Sequence, residues 1–173
     1  MNYHNITKCD QNNGDGLRVV LWVSGCEHHC KNCQNPQTWN IDSGIKFDKE
    51  AIDEILFELD KDYISGITFS GGDPLHSKNI VIIDAFIDVL KSLHHNKTIW
   101  LYTGYSWEDI FNDKNGFDDL MRRRIIGKCD VIVDGEYKEE LRDVDLKWRG
   151  SSNQRVIDVK KSLEKGEIVL HCD

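Results

Sequence analysis

Leu17 to Val23, Leu-Arg-Val-Val-Leu-Trp-Val, is the first stretch in which apolar residues run together. A nearly continuous β-branched run of this length predicts a parallel strand covered on both faces. The polar residues 1 to 16 before it end in Asn13-Gly14-Asp15-Gly16, a turn signal that delays the first regular element. The period then changes. Ile52, Ile55, Leu56 and Leu59 recur at helical spacing behind Asp48 as a cap, with Phe47 and Ile52 placed as a hydrophobic staple. Gly66 to Ser70 predicts a short second strand, and Lys78 to Leu93 a helix with Ile80, Ile83, Ile87 and Leu90 along one face. Thr98 to Thr103 predicts a third strand, and Ser106 with Asp109 marks a helix start. The helical pattern weakens through Asn112 to Gly116. A further helix follows over Phe117 to Ile125, and Val131 to Val133 gives a fourth strand closed by Asp134-Gly135. From Glu136 onward the chain is polar, and only Val156-Ile157 and Ile168 to Leu170 look like short strands. Four strands alternating with helices predict an α/β fold with a mostly parallel sheet and right-handed crossovers.

With 173 residues the chain predicts one domain over 1–173, and it is too short for a full eight-unit barrel of about 250 residues. Its net charge of −8 speaks against a nucleic-acid partner, and Arg122-Arg123-Arg124 reads as a solvated helix end. Met1 to Asp10 lacks an apolar signal core, and no apolar run approaches the ~18 residues of a membrane span. The expectation is a cytoplasmic protein. Its six cysteines would then stay reduced. Cys9, Cys129 and Cys172 are too dispersed for a disulfide framework and read as buried or idle thiols.

The other three form Cys26-x3-Cys30-x2-Cys33, on the loop that leaves the first predicted strand. Soft thiolates this close can reach one metal centre, and iron-sulfur clusters and zinc are the partners they suit. A count of three leaves one coordination position open. A Cys3His zinc site completed by His28 or His29, or a chance group of thiols, are the alternatives. Loops after the C-terminal ends of parallel strands are where α/β folds bind ligands, so the motif is at the right edge. Gly71-Gly72-Asp73-Pro74 follows the second predicted strand on the same edge. Two glycines there remove side chains where another group must approach the backbone, and Asp73 adds a carboxylate. An ordinary turn is the alternative.

The cysteine spacing resembles the signature of the radical S-adenosylmethionine enzymes. That resemblance implies a 4Fe-4S cluster held through three irons by Cys26, Cys30 and Cys33, with S-adenosylmethionine chelating the open fourth iron. It also implies that Gly71, Gly72 and Asp73 meet the cofactor's methionine end, Asp73 standing where Glu is commoner, and that Asn32, Cys33 and Gln34 lie beside the adenine. More of the chain takes part: Met1-Asn2-Tyr3-His4, Gln34-Asn35-Pro36, Ser70 to His76, Tyr102 to Tyr105, Val133-Asp134-Gly135 and Trp148 to Gln154. Together these resemble the family that activates anaerobic ribonucleoside-triphosphate reductases, glycyl-radical enzymes. The resemblance implies a partial (β/α) barrel and an oxidoreductase fed by a low-potential electron donor. Its reductive cleavage of S-adenosylmethionine yields a 5'-deoxyadenosyl radical that takes hydrogen from a glycine of the reductase. Activation of another glycyl-radical enzyme, or radical chemistry on a small molecule, are the alternatives within that superfamily. A zinc-stabilised binding module and a plain electron carrier are those outside it. Trp148 to Gln154 has no chemical role assigned from its residues.

Overall fold

The computed structural model describes residues 1–94, 96–111 and 116–172, so the weak helical stretch falls outside the described residues except for Gly116. Among the described residues, seven strands form one sheet in the order β3-β1-β2-β4-β5-β6-β7. They are β1 Asn2–Asp10, β2 Leu17–Val23, β3 Ile45–Lys46, β4 Ile64–Gly71, β5 Thr98–Tyr102, β6 Val131–Asp134 and β7 Arg155–Asp158. The central four, β2, β4, β5 and β6, are parallel. Their crossovers are α1 Lys49–Leu59, α2 Ile80–Leu93, and the pair α3 Trp107–Phe111 and α4 Phe117–Ile126, while α5 Val159–Lys165 follows β7. Asp48 caps α1 through Ala51 N at 3.1 Å, and the Ser106 hydroxyl accepts from Asp109 N at 3.1 Å at the start of α3. None of the helices described is long and apolar enough to cross a membrane.

Three expectations are corrected, and the partial barrel is met in its coarser form. The first regular element is β1, not β2. Its sequence hid it because only Tyr3 and Ile6 are buried among its nine residues. The sheet is not closed: β1, β3 and β7 join antiparallel and leave β3 and β7 as its edges. What it shares with the expected shortened barrel is the run of four parallel strands with helical crossovers. Ile168 to Leu170 makes no strand, only a bridge from Leu170 to Ile157. The arginine run is solvated only in part, Arg124 being exposed. Arg122 donates to Leu75 O at 3.0 Å and to the Tyr105 hydroxyl at 3.1 Å, and Arg124 reaches Asp84 at 3.0 Å, so both tie α4 to its neighbours.

The register divides the sheet into two unlike faces. On one, Val19 pairs with Ile67 and Ile67 with Ile99, and Leu21, Phe69, Leu101, Ile132 and Ile157 form the next row. All of these are buried with Ile55, Leu59, Ile83, Ile87, Ile110, Ile125 and Val159 from the helices. On the other, one row is Val20, Thr68, Trp100 and Val131, and the next is Trp22, Ser70, Tyr102, Val133 and Val156. The apolar cluster on this second face, Trp100, Val131, Val133 and Val156 with Tyr102, Trp148 and Cys172 against it, contains no helical residue. Arg18 completes this face, fully buried, and donates to the Thr68 hydroxyl at 2.8 Å, the Thr98 hydroxyl at 2.9 Å and Ile67 O at 2.7 Å.

Candidate functional site

The cysteine loop begins where β2 ends. Its base is pinned by Ser24 N to Asn2 O at 2.9 Å, Gly25 N to Thr38 O at 2.7 Å and Cys26 N to Trp39 O at 3.1 Å. Further along, His29 and Asn32 take left-handed backbone angles, φ 49° and 57°, unusual for residues with a Cβ. Cys33 N closes a turn onto Cys30 O at 3.1 Å, and the Cys33 sulfur accepts from Asn35 N at 3.4 Å. Burial pushes the Cys26 thiol up to about 11, against the opposing backbone N–H groups of His28 and His29, and burial likewise raises Cys30. A lone thiolate is thus disfavoured there, and a metal centre that takes the place of the proton restores the balance.

At the end of β4, Gly71 and Gly72 press against this loop. A Cβ on Gly71, φ +102°, would stand 2.8 Å from Val23 N, and one on Gly72 would stand 2.5 Å from Gly25 O. Gly72 N donates to Val23 O at 2.8 Å, and Asp73 N to Gly25 O at 2.6 Å. The expected close approach to the glycine backbone is therefore made, on the side where a Cβ would project, by the chain's own loop.

Asp73 is 2% exposed, and its carboxylate accepts from Leu75 N at 2.8 Å, the Thr103 hydroxyl at 2.9 Å, Gly104 N at 3.0 Å and His28 Nε2 at 2.9 Å. His28 Nδ1 faces Glu136 Oε1 at 3.0 Å. With a carboxylate at each nitrogen the ring donates twice and carries a charge. Burial opposes that charge, but Asp73 and Glu136 outweigh it and hold the His28 pKa up at about 9. Both ring nitrogens are thus engaged by carboxylates in this structure.

A cavity of about 790 Å³ lies at this edge of the helix-free face. Trp22, Ser70 and Tyr102 form its floor, and Cys26, Cys30, Cys33, Gln34, Gly71, Gly72 and Asp73 line one side. Asn32 is exposed and is not among the lining residues. Among the described residues no three His, Cys, Asp or Glu side chains are grouped so as to hold one metal ion. Cys26, Cys30 and Cys33 share one cavity, and a cluster is the centre in which each sulfur meets its own iron. Cys9 is exposed, Cys129 is buried with its sulfur donating to Ile125 O at 3.3 Å, and Cys172 packs behind Trp100. None of the three lines the cavity.

Residues 12–157 match the family described as a 4Fe-4S single cluster domain. The chain is 42% identical over 156 residues to the anaerobic ribonucleoside-triphosphate reductase-activating protein of Enterobacteria phage T4, covering 90% of this chain and 93% of that one. It is 38% identical over 158 residues to the protein of that name from Escherichia coli K12, with 90% and 97% covered. It is also 38% identical to the one from Vibrio cholerae, with 89% and 96% covered. The chain belongs to the anaerobic ribonucleoside-triphosphate reductase-activating proteins.

In this member of the activating-protein family, the rest of the cavity comes from segments whose polar sequence concealed them. Gln11, Asn12 and Asn13 line one end, and Leu146 to Gly150 with Gln154 line the wall opposite the cysteines. Trp148 to Gln154, left without a role above, is a strap. Tyr102 OH donates to Trp148 O at 2.8 Å, the Trp148 ring meets Trp100 edge-on at 5.0 Å, and Gln154 receives Gly150 N at 2.9 Å while donating to Gly135 O at 3.0 Å. The signal that could have found it is its aromatic and amide content, unusual for a solvated loop.

Proposed function

We propose that this chain activates an anaerobic ribonucleoside-triphosphate reductase by reductive cleavage of S-adenosylmethionine at a 4Fe-4S cluster, as a single cytoplasmic radical S-adenosylmethionine domain on a partial (β/α)-barrel plan. The observation that carries this reading is that Cys26, Cys30 and Cys33 share one cavity with Gly71, Gly72 and Asp73 at the ends of parallel strands. Cys26, Cys30 and Cys33 would each hold one iron, leaving the fourth open. When bound, the cluster and S-adenosylmethionine supply the chemistry: one-electron cleavage of the sulfonium and removal of a hydrogen atom from a glycine of the reductase.

The chain's own residues bind and shield. The amino group of the cofactor is a donor, so carbonyl oxygens at Gly71 and Gly72 suit it, since Gly72 N–H is already spent on Val23 O. The Asp73 carboxylate has four partners within the protein and acts by shaping the turn, through Leu75 N, instead of reaching the ligand. Cys33 and Gln34, which line the cavity, would flank the adenine, with Asn32 contributing its left-handed turn. The strap and the aromatic floor of Trp22 and Tyr102 keep water from a reactive centre.

Anaerobic reconstitution followed by reduction with S-adenosylmethionine tests the reading. About four irons per chain, methionine and 5'-deoxyadenosine as products, and deuterium passed into 5'-deoxyadenosine from reductase labelled at its glycine α-carbons are the expected results. Zinc in place of iron, or 5'-deoxyadenosine that forms equally fast without reductase and carries no deuterium with it, would sink it.

A further inference from the structure

We propose that His28 is a positioning residue, a latch that holds the cysteine loop against the neighbouring strand-end loops so that Cys26 and Cys30 stand ready for a cluster before one arrives; this rests on the reading of the three cysteines as its ligands. His28 lies two residues after Cys26 and two before Cys30, so a displacement of its side chain passes to both sulfurs. The backbone between them is held partly from within, Glu27 reaching His76 Nε2 at 3.1 Å and its carbonyl facing His29 Nδ1 at 3.0 Å. His29 sits at φ 49°, a conformation that a residue with a Cβ keeps only where the surroundings over-determine it. His29 Nδ1 against Glu27 O and its ring against Trp39 supply part of that constraint, and the side chain of His28 ties the segment to the neighbouring loops.

One ring spans four loops. Nε2 meets Asp73 at 2.9 Å, and the same carboxylate binds the Thr103 hydroxyl and Gly104 N, so the cysteine loop is joined to the loops after β4 and β5. Nδ1 meets Glu136 at 3.0 Å, on the loop after β6, and Asn153 Nδ2 donates to the Glu136 carbonyl at 2.8 Å, which brings in the strap. The fit is also steric. A Cβ on Gly104 would stand 2.4 Å from the His28 ring, and Tyr105 meets that ring edge-on at 4.7 Å. A flat ring with donors on opposite sides fills this slot, whereas lysine or arginine would enter it with the wrong shape.

Three variants separate the latch from mere packing. His28→Phe keeps a ring against Gly104 and Tyr105 but loses both hydrogen bonds, His28→Gln restores a donor toward Asp73, and Glu136→Gln weakens the exposed arm alone. In the metal-free protein, alkylation of Cys26 and Cys30 followed by mass spectrometry should quicken several-fold in His28→Phe, less in His28→Gln and least in Glu136→Gln, with Cys9 unchanged in all. After reconstitution, His28→Phe should hold fewer irons and show an altered magnetic resonance signal of the reduced cluster, and His28→Gln should recover part of both. Wild-type alkylation rates together with a wild-type cluster signal in His28→Phe would overturn the proposal. If His28→Phe fails to fold, the graded order of the other two variants decides, and equal wild-type rates in both overturn it. Should the wild-type chain itself take up no cluster, the function proposed above fails, while the alkylation order still judges the latch.

Discussion

The two faces of the sheet are built on opposite terms. The helix-covered face stacks Val19, Leu21, Ile67, Phe69, Leu101 and Ile132 against apolar helix stripes, and its energy comes from area removed from water. The other face carries Arg18, Thr68, Ser70, Trp22 and Tyr102 in the same strands, covered by polar segments of chain. Beside the apolar cluster of Trp100, Val131, Val133 and Val156, Arg18, Thr68, Trp22 and Tyr102 on it make hydrogen bonds, and it leaves a cavity. A strand alternates its side chains between faces, so five central residues of β2 serve both purposes at once. The lesson is a division of labour across a single backbone: one face supplies stability, and the other can spend its side chains on a site.

The sharpest way to break this comparison uses two cysteines. Cys30→Ala should lose the cluster entirely and leave the melting temperature of the metal-free protein unchanged. Cys129→Ala, within the helix-covered core, should keep the cluster and lose about 1 kcal/mol of stability. Iron analysis and thermal melts of both read the result, and the reverse pattern would end the distinction. Next in size is a pair of substitutions one on each face. Ile87→Ala, fully buried on the helix side, should cost about 2–5 kcal/mol in urea unfolding. Arg18→Met fills much of the same volume but strands the acceptors at Thr68, Thr98 and Ile67, and should cost about 1–3 kcal/mol. A larger loss from Arg18→Met would mean that the polar face, too, carries the fold. A smaller loss than from either of these is expected at the boundary between the faces. Gly72→Ala puts a Cβ 2.5 Å from Gly25 O, which only a shift of the cysteine loop can relieve. About 1 kcal/mol should be lost, with a lower iron yield after reconstitution, and an unchanged yield would show that the loop does not depend on this seat.

What could be read from the sequence follows the same division. Strand β2, strands β4 to β6 and helices α1 and α2 were plain because their apolar period is imposed by the helix-covered core. Strand β1 was hidden because Asn2, His4, Asn5, Thr7, Lys8 and Asp10 make it polar, and its pairing to β2 is a backbone matter. The antiparallel edge escaped notice for a related reason: β7 shows only Val156 and Ile157 buried, and nothing in four residues reveals that they run antiparallel to β6. At the site, the cysteines and Gly71-Gly72-Asp73 stood out by spacing, whereas Tyr137 and the strap are distant in sequence and come to the cavity only through tertiary structure. Asp73 shows the limit of reading by motif. Its position was informative, but its carboxylate turns inward to His28, Thr103 and Gly104.

The seat that Gly71 and Gly72 find on the backbone of Trp22 to Gly25 also sets an order of events during maturation. β2 and β4 lie side by side, yet the cysteine loop, β3 and α1 separate them along the chain. Parallel pairs of this kind close late, because the intervening chain must be ordered before the contact is rewarded. A nascent chain that has left the ribosome only as far as α1 already owns all three thiols, but Gly72 and Asp73 have yet to reach Val23 and Gly25. A cluster held by this loop would therefore be loaded only after β4 has docked.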